Sequence, residues 1–113
     1  MTPGYSGTPL VRKLGIREGF RIRLTNPPVP YRMLVGTLPA GAVVSGRFRT
    51  KIDLWHLFTA SERELRTLLS RAVTRIHPAG MIWVSWPKKS SGVPSEVTED
   101  TVRRVASPWV WWM

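Results

Sequence analysis

Between Ile52 and Trp86 the chain reads strand, helix, strand, and no other stretch narrows the fold as much. Ile52 to Thr59, IDLWHLFT, is a strongly apolar run of strand length. Ser61-Glu62-Arg63-Glu64 follows and fits the S-x-x-E capping box that opens a helix. Leu65, Leu68, Leu69, Ala72, Val73 and Ile76 then recur at i, i+3, i+4, i+7, i+8 and i+11, with Arg63, Arg66, Ser70, Arg71 and Arg75 on other faces. Burying those six contributes on the order of 10 kcal/mol before entropy is subtracted, which marks a core helix. His77-Pro78-Ala79-Gly80 is read as its end. Met81, Ile82, Trp83, Val84 and Trp86 form a second apolar strand, buried on both faces and stopped by Pro87. Two strands joined through one helix over about 35 residues make a βαβ unit, so they are expected to be parallel with a right-handed crossover.

The flanking chain extends that unit. Thr8 and Pro9 suit the cap and first position of a short helix carrying Leu10, Val11 and Leu14, ended by Gly15 and expected as a lid on the sheet edge. Phe20, Ile22 and Leu24 alternate with Arg21, Arg23 and Thr25, the period of a strand with one wetter face. A nucleotide-binding unit places G-x-G-x-x-G after such a strand, but here Asn26-Pro27-Pro28-Val29-Pro30 follows. Three prolines remove backbone donors, which excludes a phosphate cradle of that kind. Tyr31 to Val35 reads as a helical turn closed by Gly36, and Ala42 to Phe48 as a modest strand bent at Gly46. Thr98 caps a last helix with Glu99 and Asp100 at its start and Arg103 and Arg104 later, in the order the helix dipole favours. The expected fold is one small Rossmann-like three-layer α/β domain over residues 1–106, with a mostly parallel sheet of about four strands and helices on both faces.

Composition bounds the function classes. With 113 residues the chain fits one domain with one core. Cysteine is absent and only His56 and His77 are present, so thiolate chemistry, disulfides and cysteine or polyhistidine metal sites are excluded. No apolar run approaches the roughly 20 residues that cross a bilayer, and the N-terminus lacks a leader pattern, so a cytoplasmic protein without membrane partners is expected. The net charge of +10 and pI near 11.5 favour anionic partners. The arginines are scattered along the whole chain, however, so nucleic acid is an alternative partner and not the first choice.

Ligands in open α/β sheets bind beyond the carboxyl ends of the strands. Lys88, Lys89, Ser90, Ser91 and Gly92 follow one strand there, and Asn26 and Thr59 end two others. Together they are the candidate anion-binding residues, with the lysines as point charges. A solvated loop explains the lysines as well, and turn chemistry explains Asn26 before proline nearly as well. His56 lies mid-strand with no Ser, Asp or Glu partner placed by sequence, and reads as a hydrogen-bonded core residue. Asp53 sits at the wrong strand end. Glu99 and Asp100 are accounted for by capping, and Trp55, Trp83 and Trp86 by core packing more than by base stacking.

GYSGTPLVRKLGI, LTNPP, VSWPKKSSGV and TEDTVRRVA together resemble the bacterial family called domain of unknown function 3052, over about Gly4 to Ala106. The resemblance implies a small Rossmann-like protein, reminiscent of a methyltransferase half without the cofactor loop, and supplies no catalytic residues. Family members continue L-P-L-G-L-V-D-V and add strands, whereas this chain ends in the tryptophan-rich residues 107–113. Since Trp is only TGG and Met only ATG, the frame one base earlier contains that continuation when Ser107 is TCN. The tail is therefore expected to be out-of-frame translation that leaves the sheet short of its C-terminal strands and with a bare edge. The expected function is a binding or accessory protein that uses no catalytic residues, metal or cofactor and accepts a small anionic ligand at the strand ends. The alternatives are a methyltransferase-like binder of nucleotides or S-adenosyl compounds and a basic nucleic-acid-binding module.

Overall fold

Apolar strands joined through a helix pair in parallel, and the sheet is parallel throughout. A computed structural model describes residues 9–49 and 51–106, and the backbone of 110–112. The order along the chain is α1 (Leu10–Lys13), β1 (Arg21–Thr25), α2 (Tyr31–Val35), β2 (Val43–Ser45), β3 (Ile52–Phe58), α3 (Glu62–Ala72), β4 (Ile76–Ser85), α4 (Glu99–Val105) and β5 (Val110–Trp112). The sheet order is β2-β1-β3-β4-β5, so the strand order reverses between β1 and β3.

Alternation along β3 and β4 divides the core into two layers. Trp55, Leu57, Ile82 and Val84 face α3 and α4, where they meet Leu65, Leu69, Ala72 and Val102. Leu54 and Trp83 face the other way and pack with Ile22, Leu14, Tyr31 and Val35. The domain is thus a three-layer α/β sandwich. α1 is not an edge lid: Leu14 just after it is fully buried, and its carbonyl accepts a 3.1 Å hydrogen bond from the Trp83 indole on the face of the sheet. Thr8 lies outside the described residues, and the helix begins after Pro9 with no side-chain cap. The last helix is capped as expected, by reciprocal bonds between Thr98 and Thr101.

Three boundaries differ from the sequence reading. β2 is only Val43–Ser45, because the chain leaves the edge at Gly46 to cross back over β1 without a helix. Phe48 lies on that connection, its carbonyl bound to Arg23 and its ring under Arg21. Ile76 belongs to β4 and pairs with Ile52, because α3 ends at Ala72. Residues 77–80 are accordingly a bulge inside β4 and not a turn before it, opposite the register shift between Ile52 and Leu54. The tail also differs. Val110–Trp112 pairs in parallel with Ile82–Val84, so the sheet has a fifth strand where the sequence predicts an unpaired edge.

Gly80 makes the bulge possible. A Cβ there would lie 2.9 Å from the His77 carbonyl oxygen and 3.0 Å from those of Asp53 and Ile52, all of them backbone atoms. Gly80→Ala should therefore destabilise the protein by about 1–3 kcal/mol, read as a lower urea midpoint at unchanged slope. An unchanged midpoint would show that the bulge relaxes freely.

Candidate functional site

Asn26 follows β1, Phe58 and Ser85 end β3 and β4, and a crevice of about 540 Å³ opens beyond these three neighbouring strands. Pro28, Phe58, Ala60, Trp86, Pro87 and Val93 supply its apolar wall. It adjoins the β1/β3 reversal, where diverging connections leave space in an open parallel sheet.

Of the seven residues expected there, Asn26, Thr59 and Ser91 line the crevice, while Lys88, Lys89, Ser90 and Gly92 do not. Lys89–Ser91 winds into a 3₁₀ turn closed by Ser91 bonding the Lys88 carbonyl, and both lysines are exposed. Lys89 borders a separate hollow with Glu99. Asn26 adopts a left-handed φ of 55°, which Asn tolerates. Its side-chain nitrogen donates to the Phe58 carbonyl at 3.4 Å and to Glu64 Oε1 at 3.1 Å, tying β1, β3 and the first turn of α3 together. Thr59 is buried, and its hydroxyl is engaged with both the backbone nitrogen and the carbonyl of Ser61. Among the described residues Glu64 is the one charged residue on the crevice wall, and the capping box is half built: Ser61 Oγ accepts from the Glu64 nitrogen, but the Glu64 carboxylate turns to Asn26.

The feature that sequence reasoning missed lies one layer deeper. His56 pairs with Trp83 in the β3–β4 register, which places Ser85 two residues on and on the same face. His56 Nε2 and Ser85 Oγ are 2.8 Å apart, and His56 Nδ1 and the Tyr31 hydroxyl are also 2.8 Å apart. Tyr31 opens α2 directly after Pro30, so the proline-rich loop that excludes a phosphate cradle also delivers this phenol to the sheet. Phe58 stacks on the imidazole with centroids 4.3 Å apart, and the Tyr31 ring meets it edge-on. His56 is the core histidine expected, but its partners become visible only once the two strands are aligned.

Burial sets the chemistry of this chain of bonds. It holds the His56 pKa down to about 4 and raises that of Tyr31, so the imidazole and the phenol are both neutral at pH 7. One ring nitrogen then donates and the other accepts. The Tyr31 hydroxyl is buried and, among the described residues, has His56 alone as a partner. Its proton must go to Nδ1, because the opposite arrangement strands a buried O–H at a cost of about 1–3 kcal/mol. Nε2–H then donates to Ser85 Oγ, and Ser85 is left with its own proton to offer to the crevice. The relay runs from Tyr31 through His56 to Ser85 on the crevice wall.

No family model, curated protein or solved structure matches the chain. Among the described residues no group of three or more His, Asp or Glu is placed to hold a metal, and no helix is long and apolar enough to cross a membrane.

Proposed function

We propose that the protein is a non-catalytic binding or accessory protein whose ligand is a compact, largely apolar molecule with an acceptor group such as a carbonyl, seated in the strand-end crevice. The observation that carries this reading is the Tyr31–His56–Ser85 relay at the head of an apolar cavity. A serine poised for nucleophilic attack needs a neighbouring base with a free lone pair, and that base must become a cation as the proton transfers. Here the Nε2 lone pair is absent in the favoured tautomer. The His56 pKa near 4 against an ordinary 6.5 opposes the imidazolium by about 3 kcal/mol, and a phenol cannot compensate that charge as a carboxylate does. The crevice wall is nearly all apolar and its single charge among the described residues is Glu64, so a neutral acceptor suits it better than a free anion. The position at the β1/β3 reversal supports a second reading, a binder of nucleotides or S-adenosyl compounds.

Two measurements test these readings. Incubation with a fluorophosphonate should leave Ser85 unmodified by mass spectrometry, and a stoichiometric adduct on Ser85 would overturn the non-catalytic reading. A thermal-shift panel of aromatic ketones and amides, with S-adenosylmethionine and AMP beside them, should give hits among the former. A ligand at 100 times its Kd contributes about 2.7 kcal/mol, worth on the order of 10 °C for a chain this size. Ser85→Ala should weaken such a hit by roughly tenfold through the lost hydrogen bond. Hits confined to the adenosine compounds would instead establish the second reading.

A further inference from the structure

The positive charge is not spread as evenly in space as it is in sequence. Among the described residues the ion pairs are Glu62 with Arg66 within α3, Glu99 with Arg103 within α4, and Glu62 with Arg104, which joins the first turn of α3 to α4. At the other end of α3, beside the helix-free connection that crosses β1, Arg23, Arg47, Arg49 and Arg75 line a trough of about 780 Å³ with Gly46 and Thr74. Among the described residues no carboxylate lines it, and it shares no residue with the strand-end crevice. We propose that this trough is a second binding site, which takes a compact oligophosphate of the tripolyphosphate class.

Arg23 forms the floor. Its guanidinium carbon lies over the Trp55 indole, 4.0 Å from the ring centroid, and Nη1 donates to the Phe48 carbonyl at 2.9 Å. Its Nε is buried and, among the described residues, without a partner. Burial lowers the Arg23 pKa first, and repulsion from Arg75, Arg71 and Arg49 lowers it further. A guanidinium held against like charges is relieved by an anion in front of it, and the planar fork matches two oxygens of a phosphate. Charge selects the ligand. Four lining guanidinium groups with no carboxylate among the described lining residues are left with an excess of three by a monoanion, whereas tripolyphosphate, with about four negative charges at neutral pH, balances them. Shape selects against an extended nucleic-acid backbone, because the arginines converge on one concavity from β1, the crossing connection and the end of α3.

The test uses the full chain and calorimetric titration with sodium tripolyphosphate, inorganic phosphate and a 30-nucleotide single strand. The expected result is one tripolyphosphate site, with inorganic phosphate at least tenfold weaker. Arg47→Ala/Arg49→Ala, on the exposed connection, should weaken tripolyphosphate at least tenfold without lowering the melting temperature of the ligand-free protein. Arg12→Ala/Arg17→Ala, remote from the trough, should leave it unchanged. Arg23→Lys retains the charge but loses the fork, and should also bind at least tenfold less. Absent binding at millimolar tripolyphosphate overturns the proposal, as does equal weakening by the remote pair. A single strand that binds more tightly than tripolyphosphate and is weakened equally by both double variants also overturns it, by showing a distributed nucleic-acid surface.

Discussion

Between pH 7 and pH 4 the protein is expected to lose about 3 kcal/mol of stability through His56 alone. In the unfolded chain this histidine titrates near 6.5, while in the fold it stays neutral down to about 4. As pH falls through that window the unfolded state takes up a proton that the native state refuses, so unfolding becomes easier at about 1.4 kcal/mol per pH unit. Above pH 6.5 the contribution is complete, and below pH 4 the loss levels off. Glu62 acts in the same direction but at lower pH, because Arg104 and Arg66 hold its carboxyl below the ordinary range. Urea unfolding from pH 4.5 to 7 therefore reads His56 first. His56→Gln, which retains a donor and an acceptor of similar reach, should flatten that slope, whereas a slope that persists in the variant would assign it to other groups.

Trp55→Ala should cost about 4 kcal/mol, the largest effect of a single truncation in this core. The indole is fully buried in the layer facing α3, its nitrogen donates to Thr25 Oγ1 at 2.9 Å, and Arg23 rests on its face. Truncation therefore opens a cavity and also removes the platform under the trough. A domain of this size holds roughly 6–17 kcal/mol in total, so the variant should show a strongly lowered urea midpoint and partial unfolding at 37 °C. Trp55→Phe, which keeps most of the ring volume, should cost about half as much or less. A loss under 1 kcal/mol for the alanine variant would mean that the two core layers are not packed as described.

The parts of the fold that were legible are those where one periodicity dominates. Alternation in Phe20 to Thr25, the apolar runs of β3 and β4 and the heptad-like spacing of α3 each state their element locally, and the parallel pairing follows from their order. Ile76 shows where this fails. It continues the α3 stripe, yet it pairs with Ile52, because a stripe cannot record where the helix stops. The bulge at 77–80 was unreadable for a related reason: His-Pro-Ala-Gly has turn chemistry, and only the pairing of its flanks, Ile76 with Ile52 and Met81 with Leu54, makes it part of a strand. Ile52 and Leu54, two residues apart, pack into opposite layers at the same irregularity.

At the candidate site, position in the sequence identified strand ends but not side-chain direction. Asn26 and Thr59 do reach the crevice, whereas Lys88 and Lys89 follow β4 and turn outward. Ser85 and Glu64 were overlooked because each looked local, one a strand residue and the other a helix cap. Their partners, His56 and Asn26, lie 29 and 38 residues away. The arginine trough was illegible for the same reason, since its members are scattered from Arg23 to Arg75 and only the crossing of β1 gathers them.

The strand order also governs how the chain reaches this structure. Every neighbouring pair in the sheet is parallel, so no hairpin can nucleate it. The β3–β4 pair must close over all of α3, and the β1–β3 pair must close over α2 and β2. Each contact is rewarded only after a long loop has been ordered, which places folding on the millisecond-to-second side of the range for domains of this size and makes α3, with its own cap and apolar stripe, the natural place for it to begin.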